Sequence, residues 1–172
     1  LTGKGKYVDD MVLPNMTWAV MVRADVAHAN INSINTEEVS QAPGVVAVFT
    51  GADMQADGIN GVPCGWQVDF KNGDTMKEPS HPSLAVDKVR YVGDAVAVVI
   101  AETREQAADA AELLAVDYEE LPAVVDATKA TQDGAPQLFD DIPNNVSFDW
   151  ELGDKAAADA GIENAAHVTT IQ

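Results

Sequence analysis

The run of apolar residues Ala95–Ala101 limits the possible folds of this chain more than any other segment. A run of this length with no polar alternation is typical of a strand that is buried on both faces. It is too short to cross a bilayer, which takes about 20 apolar residues. The sequence therefore predicts a packed sheet around this strand, and Gly93-Asp94 just before it predicts a turn or bulge.

A helix is predicted directly after this strand. Thr103, followed three residues later by Gln106, has the capping-box pattern, in which the Thr hydroxyl accepts from the backbone and the Gln side chain reaches back. The helix should run to about residue 114 and pack closely on the sheet through a face of small apolar side chains. That face contains Ala107, Ala110, Ala111 and Leu114.

The other segments indicate a mixture of short elements. Strands are predicted at 18–22, 45–49 and 114–118, with a hairpin at 84–92. A short helix should begin near Asn35 and stop before Pro43-Gly44. Glycines and prolines break any periodicity over 54–80, which predicts a long irregular loop. Because βαβ units do not repeat, this order favours an α+β fold with mixed strand pairing.

Charge and cysteine content exclude several classes of protein. The chain has 172 residues and a net charge of −18, so nucleic acid and anionic membranes are poor partners. Cys64 is the one cysteine, which excludes an internal disulfide and an iron–sulfur cluster. With His28, His81 and His167 far apart in sequence, no structural zinc site is expected either. The absence of a signal-like segment and of a cysteine framework predicts a cytoplasmic protein.

The organisation along the chain suggests two parts. Residues 3–130 are predicted to form one domain. From about residue 131 the chain is rich in Pro, Asn and Asp, which is typical of a linker, and Asp154 is placed to cap one more helix. The first residue is Leu1 rather than Met, and the final stretch resembles a strand just beginning, so we expect a segment of a longer protein.

Signatures of catalysis are missing from the sequence. It has no nucleophile elbow of the Gly-x-Ser-x-Gly type, no phosphate-binding loop and no dinucleotide fingerprint. Adjacent acidic pairs such as Glu119-Glu120 are poor chelates, because neighbouring residues of a strand point to opposite faces. We therefore predict no catalytic, cofactor-binding or metal-binding residue in this chain.

Five stretches stand out when taken in order: 3–10, 23–29, 43–45 with 49–54, 84–101 and 116–126. Together they resemble one family, the large subunits of the molybdenum hydroxylases, which include xanthine oxidase, aldehyde oxidase and aerobic carbon monoxide dehydrogenase. The resemblance is closest to the carbon monoxide dehydrogenase large chain and covers about residues 3–130. It implies the α/β hammerhead domain, an α+β fold with a mixed sheet and two packed helices.

The resemblance also implies where the chemistry of the whole enzyme resides. Molybdenum, held by molybdopterin in its dinucleotide form, and the catalytic Glu belong to later domains of the large subunit. Iron–sulfur clusters and FAD belong to partner subunits. The active-site Cys loop of carbon monoxide oxidisers also lies elsewhere, so Cys64 does not take that role. This chain would be a scaffold and a wall of the substrate funnel, and it would be inactive alone. Its partners would be the remainder of its subunit, the iron–sulfur and flavin subunits, and a small-molecule substrate.

The same resemblance places some residues near function. The loop before the 84–93 stretch implies a funnel wall made by Glu78, Pro79, Ser80 and His81. Gly93 and Asp94 would face a neighbouring domain. Many relatives carry Glu or Gln at the position of Asp94, and the 54–80 loop diverges, so carbon monoxide, an aldehyde and an N-heterocycle all stay open as substrates.

One alternative comes from a different class: a stand-alone carrier or protein-interaction module of the barrel-sandwich type. Met76-Lys77 is weakly similar to the modified lysine of biotinyl and lipoyl carriers. Those carriers place the lysine in a tight hairpin between two methionines, whereas Glu78-Pro79 follows here.

Overall fold

The apolar run Ala95–Ala101 forms the centre of an antiparallel sheet in the computed structural model, which describes residues 2–171. The strands of the described chain are β1 (Trp18–Arg23), β2 (Ala29–Asn35), β3 (Val45–Thr50), β4 (Lys88–Val89), β5 (Ala95–Ala101) and β6 (Ala115–Glu120). Its α-helices are α1 (Glu37–Ser40), α2 (Gly51–Ala56), α3 (Arg104–Glu112) and α4 (Lys155–Glu163). Short 3₁₀ turns lie at Val8–Asp10 and Pro143–Asn145.

The first sheet has the order β1-β5-β3 and is covered on one face by α3. Ala97, Val99 and Ala101 of β5 are completely buried. Val99 packs in one cluster with Ala110 of α3 and Val39 of α1. The predicted central strand and the predicted helix packing are therefore confirmed, and α3 ends close to the expected position.

The second sheet has the order β4-β2-β6, and its central strand was not expected from the sequence. β2 is rich in Asn and Ser, residues that are depleted in strands. A shift in register between Ile31 and Ser33 also breaks the alternation of period two. As a result Ile31 and Ile34, three residues apart, both pack against the core cluster that contains Ala29, Val89 and Val96.

Two details of the predicted α+β fold need correction. Every strand pair in residues 2–171 is antiparallel, whereas mixed pairing was expected. The hairpin expected at 84–92 is also wrong, because β4 pairs with β2 instead. Leu84 and Ala85 are buried, and the Ala85 amide donates to the Ala95 carbonyl at 2.7 Å, so this segment is held against β5 and cannot form a hairpin.

The start of α3 shows half of the expected capping box. The Thr103 hydroxyl accepts from the Gln106 amide at 3.2 Å, as predicted. The Gln106 side chain does not reach back to Thr103. It lies beside Gly44, so close that a Cβ at this position would overlap its Cδ atom. Gly44 also has a φ of +76°, so both its conformation and its surroundings favour glycine.

The chain divides into two units. The first contains the described residues up to Pro63 together with Pro79–Asn145, and both sheets belong to it. The second contains Cys64–Glu78 and the described residues from Val146 onward, including α4. Asp154 caps α4 by accepting from the Ala157 amide at 2.9 Å, as predicted. Among the helices of residues 2–171, none has the length and apolar character needed to span a membrane.

Candidate functional site

The predicted funnel-wall residues are divided between the two units. Glu78 belongs to the second unit, where its carboxylate organises the loop around Cys64. One carboxylate oxygen accepts from the Cys64 amide at 2.6 Å and the other from the Gln67 side chain at 2.8 Å. The hydrogen bond from Cys64 is the main cause that lowers the pKa of Glu78 below its ordinary value. Glu78 therefore acts within its own loop.

Pro79, Ser80 and His81 belong to the first unit and lead into its core. The His81 carbonyl accepts from the Val62 amide at 2.8 Å. A Cβ at Gly61 would lie 2.5 Å from the same carbonyl oxygen, so the two chain segments approach as closely as glycine permits. The side chains of Ser80 and His81 remain exposed and free to meet a ligand or a neighbouring domain.

A cavity of about 610 Å³ lies in the first unit beside this segment. Its lining comes from α2, from the chain around Gly61 and from the segment that includes Ser80 and Ser83. His81 is not part of the lining. The structure thus brings one of the four predicted wall residues, Ser80, to a cavity large enough for a small molecule.

Gly93 and Asp94 form a turn that is fixed to the end of β1. The Gly93 amide donates to the Ala24 carbonyl at 2.7 Å, and the Ala24 amide donates to the Asp94 carbonyl at 2.8 Å. The Asp94 carboxylate accepts from the Arg90 amide at 3.1 Å. Burial raises the pKa of the neighbouring Tyr91 phenol, and the charge of Asp94 raises it further. Gly93 has a φ of +94°, as expected for glycine at a turn.

Arg90 is a residue that the sequence analysis did not single out. Its guanidinium lies 4.5 Å from the ring centre of Phe139 and donates from Nε to the Leu138 carbonyl at 3.0 Å. The side chain also lines the cavity. Its position between Val89 and Tyr91 is the sequence feature that could have drawn attention to it. An arginine beside apolar residues needs hydrogen-bond acceptors for its donors.

A single cysteine cannot supply the thiolates of an iron–sulfur cluster, and in the described part of the chain the His and Cys side chains lie apart. His28 is buried, and its Nδ1 lies 2.8 Å from the Pro122 carbonyl oxygen. The Cys64 thiol donates to the Trp66 carbonyl at 2.9 Å. Within residues 2–171, no three His, Cys, Asp or Glu side chains are grouped so that they could hold a metal ion.

Comparison with known proteins identifies the family. Residues 2–122 match the family described as aldehyde oxidase and xanthine dehydrogenase, a/b hammerhead domain. The carbon monoxide dehydrogenase large chain of Afipia carboxidovorans is 38% identical over 97% of this chain and 21% of its own length. The nicotine 6-hydroxylase large subunit of Paenarthrobacter nicotinovorans is 37% identical over 99% of this chain and 20% of its own length.

A solved structure agrees with these relatives. The crystal structure of the Cu,Mo-CO dehydrogenase superposes with a TM-score of 0.71 and 38% identity, over 96% of this chain and 21% of that one. This chain thus spans about a fifth of the length of the curated relatives that it matches. The resemblance predicted from the five sequence stretches is confirmed: the chain belongs to the aldehyde oxidase and xanthine dehydrogenase family and carries the α/β hammerhead domain of its molybdenum hydroxylase large chains.

Proposed function

We propose that this chain serves as part of the large subunit of a molybdenum hydroxylase similar to aerobic carbon monoxide dehydrogenase. It acts there as a scaffold and a wall of the substrate funnel, and it is inactive alone. The observation that supports this is the pattern of coverage: almost all of this chain aligns with about a fifth of a much longer relative. In this layout residues 3–130 are the hammerhead domain, and 131–172 are a linker and the start of the molybdenum-binding domain.

The chemistry is assigned to the rest of the enzyme. The remainder of the large subunit would hold molybdenum with a molybdopterin dinucleotide, and partner subunits would hold iron–sulfur clusters and FAD, in the cytoplasm. The bound cofactor would supply oxidation of a small molecule with oxygen from water. This proposal accords with the donor chemistry described above, where the His28 and Cys64 side chains each contact a separate backbone carbonyl.

Access to the reaction site is the role proposed for the exposed segment beside the cavity. Ser80 lines the cavity and His81 is exposed next to it, on chain that is fixed at one end by the buried Leu84. A loop held by a rigid core is suited to shaping the entry of a substrate without joining the chemistry. Gly93 and Asp94, braced by β1, are proposed to face a neighbouring domain.

The alternative of a carrier module is less well supported by the geometry. Lys77 lies outside any turn, and its amide donates to the Ser147 carbonyl at 2.9 Å. The nearby turn, closed by the Asp69–Thr75 bridge, carries Lys71 instead, and Lys71 forms an ion pair with Asp149 at 2.7 Å. A mass spectrum of natively expressed protein that shows an adduct on Lys77 would favour the carrier.

The proposal is tested on the enzyme assembled from the whole large subunit and its partners. Elemental analysis should find molybdenum in that assembly and none in the 172-residue chain. Carbon monoxide, xanthine, nicotine and an aldehyde should be compared as reductants of the bound flavin. An assembly without molybdenum, or a 172-residue chain that oxidises any of these compounds, would contradict it.

The funnel wall has its own test in the same assembly. His81→Ala should change KM, or the ranking of substrates, more than kcat, because the side chain contacts substrate only during entry. His167→Ala is the matched control, since that histidine is also exposed but lies outside the proposed wall. If His81→Ala leaves kcat/KM unchanged for every substrate, the segment takes no part in access.

A further inference from the structure

The first sheet has two apolar faces: α3 covers one of them, and the other is covered only at the start of β5. On the side of α3, the β5 residues Ala97, Val99 and Ala101 are fully buried. Of the alternate residues, which point to the opposite face, Val96 is fully buried in the cluster that contains Ala29 and Val89, whereas Val98 and Ile100 remain partly exposed. Antiparallel sheets that face water on one side normally alternate apolar and polar residues, and β5 does not. The second face therefore has the chemistry of a buried surface.

The neighbouring strands continue this face. Met21 of β1 and Phe49 of β3 lie opposite Val98, one on each side. In the next row, Ala19 and Ala47 lie on either side of Ile100. We call these six residues the open face. They are Ala19, Met21, Ala47, Phe49, Val98 and Ile100.

The open face lacks charge in a strongly acidic chain. The chain carries 28 Asp and Glu residues, yet all six positions of the open face are apolar, and none of them is buried. Met21 has an exposed fraction of 42%. Depletion of charge at the centre of an apolar patch is the compositional mark of a protein interface.

We propose that the open face is the docking surface for another part of the same large subunit, which presents an uncharged, apolar patch to it; this rests on the proposed function. The length of the relatives supports this occupant. About four fifths of the matched carbon monoxide dehydrogenase large chain lies outside the portion that this chain covers. A domain of that subunit is held near the hammerhead domain by the chain itself, so its effective concentration at the open face is high.

The test compares two exposed apolar residues of similar accessibility. Met21 is on the open face, and Leu113, at the end of α3, is 41% exposed and lies off it. In the 172-residue chain, Met21→Glu and Leu113→Glu should both leave the melting temperature nearly unchanged. In the complete large subunit, Met21→Glu should increase the rate of proteolysis between domains at least tenfold, whereas Leu113→Glu should change it less than twofold. Equal effects of the two variants in the complete subunit would overturn the proposal.

A second measurement on unsubstituted protein does not depend on the folding of a variant. Peroxide oxidises exposed methionine thioethers, and mass spectrometry reads the rate at each position. The oxidation rate of Met21 should fall at least tenfold from the 172-residue chain to the complete subunit. A Met21 that reacts equally in both would overturn the proposal. If Met21 is already protected from oxidation in the 172-residue chain, and this protection grows with protein concentration, the occupant is a second copy of the chain. That result would also overturn the proposal. The molybdenum content of the same subunit tests the proposed function separately.

Discussion

The two units of this chain are ordered by different forces. Every buried residue of the described chain lies in the first unit, where both sheets and α3 enclose two apolar clusters. The second unit has no buried residue among those described. It is organised instead by backbone pairing, the carboxylate of Glu78, and an edge-to-face contact between Trp66 and Trp150 with ring centres 5.5 Å apart. Apolar burial supplies most of the free energy of folding, so the two units should differ sharply in stability.

The largest expected effect comes from a charge placed inside the first unit. Val99 is fully buried, and Val99→Asp should lower the free energy of unfolding by about 3 kcal/mol or more, because the carboxylate would have no partner. Val46→Asp, at a site that is 58% exposed on β3, should change it by less than about 0.5 kcal/mol. Denaturant unfolding measures both. If the charged variant does not fold, Val99→Ala replaces it in the test. This variant should lower the free energy of unfolding by about 2 kcal/mol. Equal stability of Val99→Asp and Val46→Asp would mean that β5 is not the centre of the core.

A second prediction concerns a polar segment that nevertheless belongs to the first unit. The Asn145 side chain donates to the carbonyls of Ala130 and Pro136 and accepts from the Leu138 amide, all within 2.9 Å. Glycine tolerates the φ of +55° at this position, so Asn145→Gly removes the hydrogen bonds without straining the backbone. It should lower the free energy of unfolding by about 1–3 kcal/mol.

Asn144→Gly is the matched control for this change. Asn144 has a φ of +56° and is exposed, so its replacement should be nearly neutral. Hydrogen exchange at the Leu138 amide should accelerate in Asn145→Gly alone. If both variants exchange as the unsubstituted chain does, residues 130–145 are not fixed by Asn145.

The third prediction uses one type of helix cap in both units. Thr103→Ala removes the cap of α3 and should lower the stability of the whole first unit by about 1 kcal/mol, because α3 is packed on the sheet. Asp154→Ala removes the same type of cap from α4, which buries no residue. It should reduce helix content seen by circular dichroism while the unfolding midpoint of the first unit stays the same. A shift of that midpoint by Asp154→Ala would show that α4 is coupled to the first unit.

These contrasts also explain what the sequence could predict. β5 and α3 were predictable, because a continuous apolar run and a capped amphipathic helix are local signals. β2 was not, since its register shift at Ile31 hides the alternation and its stability comes from pairing with β6, far along the chain. The position of 84–89 depends on contacts with β5 and β2 that no local pattern encodes.

The candidate site was predictable to a smaller extent. Its residues came from resemblance to a family, and the family itself is confirmed. Tertiary packing decides which of these residues line the cavity. Ser80 lines it, whereas the Glu78 carboxylate accepts a hydrogen bond from the Cys64 amide. Arg90 was missed because its partners, Leu138 and Phe139, lie almost fifty residues away.

The smallest expected effect concerns the acid sensitivity of the second unit. Hydrogen bonds from the Cys64 amide and then from Gln67 lower the pKa of Glu78 below its ordinary 4.5. The folded loop therefore binds the ionised form better than the unfolded loop does, so this contribution to stability is present above pH 4.5 and is lost as the pH falls through the lowered pKa.

An NMR titration of the Glu78 carboxyl carbon should accordingly show a midpoint below the ordinary glutamate value of 4.5. Gln67→Ala removes one donor and should move the midpoint part of the way back. Over the same pH range, the protection factor of the Cys64 amide, which corrects for the intrinsic pH dependence of exchange, should fall as Glu78 is protonated, while that of the Val99 amide in β5 stays the same. A Glu78 midpoint at or above 4.5 would contradict the view that this carboxylate organises the loop. Simultaneous loss of protection at Val99 would show that the two units respond to acid together.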